Sequence, residues 1–202
     1  MLTFAAMLLN TLLNIWHQVE KWDQALFIKL NGEWTNPVFD AVLPFIRNSF
    51  FWAPLYLFLL ALVAVNFKSR GWWWVLFFLC TFAITDIVSS RLIKESVERL
   101  RPCNDPAMFD QIRLLLRHCG TGYSFTSSHA TNHFGMAAFF FISFRKIIPK
   151  WAWMGFAWAF VIVYAQIYVG VHYPLDVTCG AILGTTIGLI TGRFFDQRYA
   201  LI

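Results

Sequence analysis

Residues Trp151–Phe195 read WAWMGFAWAFVIVYAQIYVGVHYPLDVTCGAILGTTIGLITGRFF. The apolar runs Trp151–Val171 and Pro174–Phe195 each approach the roughly 20 residues that cross a hydrocarbon layer as a helix. Between them stand only His172 and Tyr173, and Asp176 follows in the first turn of the second run. Ionisable groups at membrane depth are costly and call for a partner or a task. This stretch therefore predicts a membrane bundle with chemistry at one face. Outward from it, Phe50–Phe67, Trp72–Ile93 and His129–Phe144 are further runs of the same kind, without the alternation of a β-barrel. The fold class read from them is all-α and integral to the membrane, a bundle of five transmembrane helices.

Composition agrees. Of 202 residues, 58% are hydrophobic and 13% charged, with mean hydropathy +0.57. Soluble domains carry about 25% charged residues, so disorder, collagen and soluble nucleic-acid binding are excluded. The aromatic share is 19%, with 22 Phe and 10 Trp, which suits lipid and interface. One domain is expected over 1–202: interfacial N-terminal helices at 1–49, a transmembrane bundle at 50–195 and a long loop at 94–128. Met1–Trp16 is apolar with a polar stripe through Thr3, Asn10 and Asn14, and reads as an amphipathic helix in the interface; a sixth crossing is the alternative. No basic residues precede it, as a signal peptide would require. Trp22–Leu30 and Pro37–Ile46 read as short interfacial helices separated by the Asn31-Gly32 turn.

Loop charges give an orientation. Lys68 and Arg70, then Arg145, Lys146 and Lys150, then Arg193 and Arg198 lie on one side, the cytoplasmic one by the positive-inside rule. The opposite side holds His17–Ser49, with three basic and four acidic residues, and Lys94–Ser128, with five basic and four acidic. The net charge of +5 is thus mostly cytoplasmic loops. Cys103 and Cys119 share the outer loop, where a disulfide between them would close it.

Three clusters converge on the outer face: Lys94-x6-Arg101-Pro102, Thr126-Ser127-Ser128-His129, and Gln166-x5-His172-x3-Asp176. Lys94 and Arg101 offer a point cation and a planar fork, both suited to phosphate oxygens. Ser127, Ser128 and His129 open a helix, whose free N–H groups favour an anion. A carboxylate such as Asp176 can orient the His172 imidazole and make it more basic for attack on phosphorus. His129 can protonate a leaving alkoxide and then activate water. This is a phosphoryl-transfer site without a metal: His133 follows His129 at metal-pair spacing, but no third ligand accompanies them.

These blocks resemble the signature of the type 2 phosphatidate phosphatase superfamily, whose site is shared with vanadium haloperoxidases: K-x6-R-P, then P-S-G-H, then S-R-x5-H-x3-D. The first block is complete; Thr126 and Ser128 replace Pro and Gly in the second; Ala165 and Gln166 replace Ser-Arg in the third. The resemblance implies His172 as nucleophile, Asp176 as its orienter and His129 as general acid. It places Lys94, Arg101, Ser127, Ser128 and Gln166 around the phosphate. Gln166 supplies a neutral amide where the pattern has a cation, and Arg99, Arg113 and Arg117 are the candidates to fill in.

The expected function is hydrolysis of a phosphate monoester or terminal diphosphate on a lipid (polyprenyl diphosphate, phosphatidylglycerol phosphate, phosphatidate or lipid A) through a phospho-histidine. The location is a bacterial inner membrane, with the site outward and the C-terminus cytoplasmic. No cofactor and no nucleic acid are implied. A phosphotransferase using the same histidine and a non-catalytic lipid-binding relative are the alternatives. His17 and His118 read as interfacial side chains, and Asp86 with Arg91 as a structural pair. Gly180, Gly184, Gly188 and Gly192 form a close-packing stripe, inside the bundle or between copies of the chain.

Overall fold

The computed structural model describes residues 2–202, with side chains from Ala6 onward. Helix α1, Leu2–Ile28, is followed by a π turn at Lys29–Glu33. The two N-terminal elements expected on either side of residue 20 are thus one continuous helix. Neither Gly nor Pro interrupts His17–Lys21, so nothing breaks the winding there; it runs on through the expected Asn31-Gly32 turn as the π turn and ends after Glu33. Residues Ala6–Gln18 of α1 are exposed on every side, and its buried contacts begin at Asp23 and Phe27.

Helix α2, Pro37–Ile46, begins with Pro at its first position, and the Asn36 side chain caps it by accepting from Phe39 N at 2.9 Å. A 3₁₀ turn, Ser49–Trp52, leads into α3, Ala53–Asn66. Helix α4, Lys68–Ile87, continues through a π segment, Val88–Ile93, into the short α5, Lys94–Val97. Then follow α6, Ser128–Phe144, α7, Met154–Tyr168, and α8, Pro174–Tyr199. The apolar runs read from the sequence as spans fall on the helices α3, α4, α6, α7 and α8. By length and composition Ser49–Asn66, Lys68–Asn104 and Pro174–Tyr199 suffice to cross a membrane. Helix α6 is interrupted by polar residues at its start because that end faces the site rather than lipid.

Helix α6 is the axis of the bundle, with Ala130, His133, Ala138 and Phe139 among its many buried residues. It lies against α8 along the glycine stripe. A Cβ on Gly180 would stand 2.8 Å from Ser127 O; one on Gly184 would collide with Thr131 O, and one on Gly188 with Gly135 O. The stripe is therefore consumed within the bundle, and the Gly180/Gly184/Gly188 face is not available to a second copy of the chain. Away from the site the bundle is closed by aromatic packing of Trp74, Phe78, Phe139 and Phe195.

Candidate active site

Where α7 ends, Gly170 takes a positive φ of 91° and turns the chain into Val171-His172-Tyr173. Pro174 then opens α8, and Asp176, in its first turn, reaches back to accept from Tyr173 N at 2.9 Å. This local cap fixes the carboxylate against the backbone of the turn that carries His172. Both side chains are buried, at 2% and 0% exposure. His172 Nδ1 stands 3.6 Å from Asp176 Oδ2 and 3.3 Å from Ser124 Oγ, while Ser124 donates its hydroxyl to the same Oδ2. Both neighbours of Nδ1 are acceptors, so the proton sits on Nδ1. On the other side Nε2 faces the donor Nη1 of Arg101 at 3.5 Å. The lone pair therefore points out of the ring toward the cation, which is the tautomer a nucleophile requires. Burial and the Arg101 charge outweigh Asp176 and hold the imidazole at a pKa of about 4. The sequence reading of a more basic imidazole is corrected on this point: the ring is kept neutral, not strengthened as a base.

Arg101 is immobilised by the outer loop. Its Nε donates to Gly122 O at 3.1 Å, Nη2 to Thr121 O at 3.1 Å and Nη1 to Val171 O at 3.5 Å. Cys103 and Cys119 are joined as a disulfide, with Cα atoms 5.8 Å apart. The bridge ties the residues just after Arg101 to those just before its carbonyl partners. Lys94 lies within charge–charge reach of Arg101, His172 and Asp176. Ser127 caps α6 by accepting from Ala130 N, and its own N–H donates to Asp176 O at 3.1 Å, so the first turns of α6 and α8 are bonded to one another.

Ser128 and His129 follow on α6 and line an apolar groove of about 540 Å³ between α3, α4 and α6, whose other walls include Phe50, Leu57, Phe78 and Phe82. A second groove on the opposite flank of α3 is lined by Leu59, Phe140 and Trp158. His133, one turn on, is bonded through Nδ1 to Tyr56 OH at 2.8 Å and packs on Trp158, so it supports the helix. Asp86 accepts from Asn132 Nδ2 at 3.0 Å and Arg91 is exposed; the expected Asp86–Arg91 pair does not form.

None of the three cations nominated to replace a family arginine does so. Arg99 bridges two carboxylates, Asp176 Oδ1 and Asp23 Oδ2, each at 2.7 Å, beneath the Tyr173 ring. Arg113 pairs with Asp40 at 2.7 Å, and Arg117 is exposed. Gln166 is fully buried and bonded to Arg47: Arg47 Nε donates to Gln166 Oε1 at 3.2 Å, and Gln166 Nε2 donates to Arg47 O at 3.4 Å. Sequence reasoning missed Ser124, Asp23 and Arg47. Asp23 carried a signal, as an acid inside an apolar helix. Ser124 and Arg47 carried none.

A buried, oriented imidazole facing cations in an all-helical membrane bundle defines a membrane phosphoryl-transfer site. Residues 71–200 match the model of the PAP2 superfamily, and the chain belongs to that family. It is 32% identical over 165 residues to a lipid A 4'-phosphatase of Bacteroides thetaiotaomicron, covering 80% of this chain and 72% of that protein. A lipid A 4'-phosphatase of Porphyromonas gingivalis is 29% identical over 180 residues, 88% of this chain and 72% of that one. The crystal structure of a transmembrane PAP2-type phosphatidylglycerolphosphate phosphatase from Bacillus subtilis superposes with a TM-score of 0.70 at 24% identity, covering 90% and 87% of the two chains.

Proposed function

We propose that this chain, a membrane lipid phosphatase, works through a phospho-histidine on His172 and draws its substrate laterally from the bilayer. The observation that carries the reading is the two-sided fixing of His172, with Nδ1 held by Ser124 and Asp176 and Nε2 aimed at Arg101. A phosphate resting on Arg101 and Lys94 presents its phosphorus to that lone pair. The P–N bond forms as the P–O bond to the lipid breaks, and His129 gives its proton to the departing alkoxide. Water then attacks phosphorus, its proton passes to His129, and the P–N bond breaks to release phosphate. The groove beside His129 is lined mostly by apolar side chains together with Asp86, Ser128, Asn132 and His133, which suits a lipid tail with its headgroup turned toward the polar residues.

Among lipids we favour a glycolipid phosphate monoester of the lipid A kind, because two of the relatives bear that activity in their names. We further infer five crossings through α3, α4, α6, α7 and α8 in a bacterial inner membrane. The site then faces the periplasm, where Cys103–Cys119 is stable. The test is phosphate release by detergent-purified protein, with chelator present, from lipid A, polyprenyl diphosphate, phosphatidylglycerol phosphate and phosphatidate. Release fastest from lipid A, resistant to chelator and absent in His172→Ala, is expected. Release from none of the four, or transfer to an acceptor in place of release, would overturn the reading.

A further inference from the structure

Beyond Lys94 and Arg101 the site holds a cation that no motif announces. Arg47 follows the last residue of α2 and is half-buried. The Gln166 side chain bonds only Arg47 among the described residues, accepting from its Nε and donating to its carbonyl. Capture of Nε fixes the plane of the guanidinium, and both Nη groups, with four N–H donors, have no partner among the described residues. Two nearby arginines are already engaged with acids, Arg99 with Asp23 and Asp176 and Arg113 with Asp40. Arg47 has no carboxylate within ion-pair distance among the described residues, and it lies within charge–charge reach of both Arg101 and His129.

Arg101 thus lies within charge–charge reach of both Lys94 and Arg47, and the acid that faces Lys94 and Arg101, Asp176, is already bonded to Arg99 and Ser124. Such a cluster is unfavourable unless a multiply charged anion occupies its centre. We propose that Arg47 is a phosphate-binding residue of this site, aimed by Gln166, and that the pair does jointly what one arginine at position 166 would do. A glutamine side chain ends at its amide, one guanidinium short of an arginine, and Arg47 adds that guanidinium from another helix. The inference rests on the phosphatase reading of the site and extends it to residues outside the three motifs.

The experiment measures kcat/KM for phosphate release and, separately, the affinity for inorganic phosphate by calorimetry. The proteins are wild type, Arg47→Ala, Arg47→Lys and the double variant Arg47→Ala with Gln166→Arg, each checked for elution and melting temperature. Arg47→Ala should lower kcat/KM about 10- to 100-fold and weaken phosphate binding to a similar degree. Arg47→Lys should recover only part, since an ammonium has no Nε donor for Gln166. The double variant should recover most, because the arginine then reaches in from α7. Phosphate affinity unchanged in Arg47→Ala would overturn the proposal. So would a loss that neither Arg47→Lys nor the double variant repairs. If wild type releases no phosphate from any lipid, the phosphatase reading fails, and the calorimetric arm still decides whether Arg47 binds the anion.

Discussion

Residues 71–200 and the segment before them meet at the site in different ways. The later region supplies Lys94, Arg101, His129, His172 and Asp176, groups held at fixed spacing along the chain. The earlier one supplies Asp23, Asn31 and Arg47, which reach that machinery only in three dimensions. Asp23 holds the far side of Arg99 and also accepts from Leu175 N at 2.8 Å, on the first turn of α8. Asn31 is fully buried; its amide donates to Tyr168 O and Arg113 O, and its oxygen accepts from Arg113 N. It thereby satisfies a carbonyl left open at the end of α7. The N-terminal segment is thus a structural wall of the active site, which membrane anchoring alone would not require.

That comparison can be broken or sharpened by substitution on either side. His172→Ala should abolish phosphate release, a loss on the order of 10⁴-fold or more, with elution unchanged; residual turnover above one part in a thousand would remove His172 as nucleophile. Asp176→Asn should cost on the order of 10²- to 10⁴-fold, because the Nδ1 tautomer loses its anchor. Proton-linked behaviour follows from the depressed pKa of His172. The ring must be neutral to attack, so the His172 limb of the kcat/KM profile should fall as pH drops through about 4, roughly tenfold per unit. Stability has the same sign: the unfolded chain binds a proton near 6.5 that the folded chain refuses until about 4, so this contribution is full above the first value and lost toward the second.

Asp23→Asn tests the N-terminal side directly. Arg99 keeps Asp176 but loses its second carboxylate, and a loss of about 3- to 10-fold in rate with roughly 1–3 kcal/mol of stability is expected. An effect as large as that of Asp176→Asn would make Asp23 part of the reacting constellation. Cys103→Ser with Cys119→Ser opens a loop spanning a sequence separation of 16, costing about 3 kcal/mol of stability on the chain-entropy account. KM should rise with little change in kcat, as the Arg101 cradle loosens; thermal melting and steady-state kinetics read the two effects. Smallest of all, Asp40→Asn should leave the melting temperature almost unchanged, because its pair with Arg113 is partly exposed and screened by solvent.

Much of this was legible in the chain. The spans were visible because lipid-facing helices are apolar all round, and His172 and Asp176 because charge inside an apolar run needs a reason. The fusion of α1 was not, since a polar stripe in Met1–Trp16 and a following apolar patch suggest two elements when no breaker separates them. The role of the glycine stripe stayed open, because spacing marks close packing without naming the partner. Arg47 was hidden for a different cause: its neighbour Gln166 lies 119 residues away, and only the fold brings them together. Ser124 likewise gains its meaning from the turn at Gly170.

The glycine seam between α6 and α8 has a mechanical consequence. His129 and Asp176 hang from the first turns of two helices whose separation is set by backbone atoms, which have no rotamers to exchange. The seam acts as a jaw of fixed gape. A headgroup of the wrong width cannot be accommodated by widening it, so any breadth in substrate choice must come from the flank where α3 borders open apolar space.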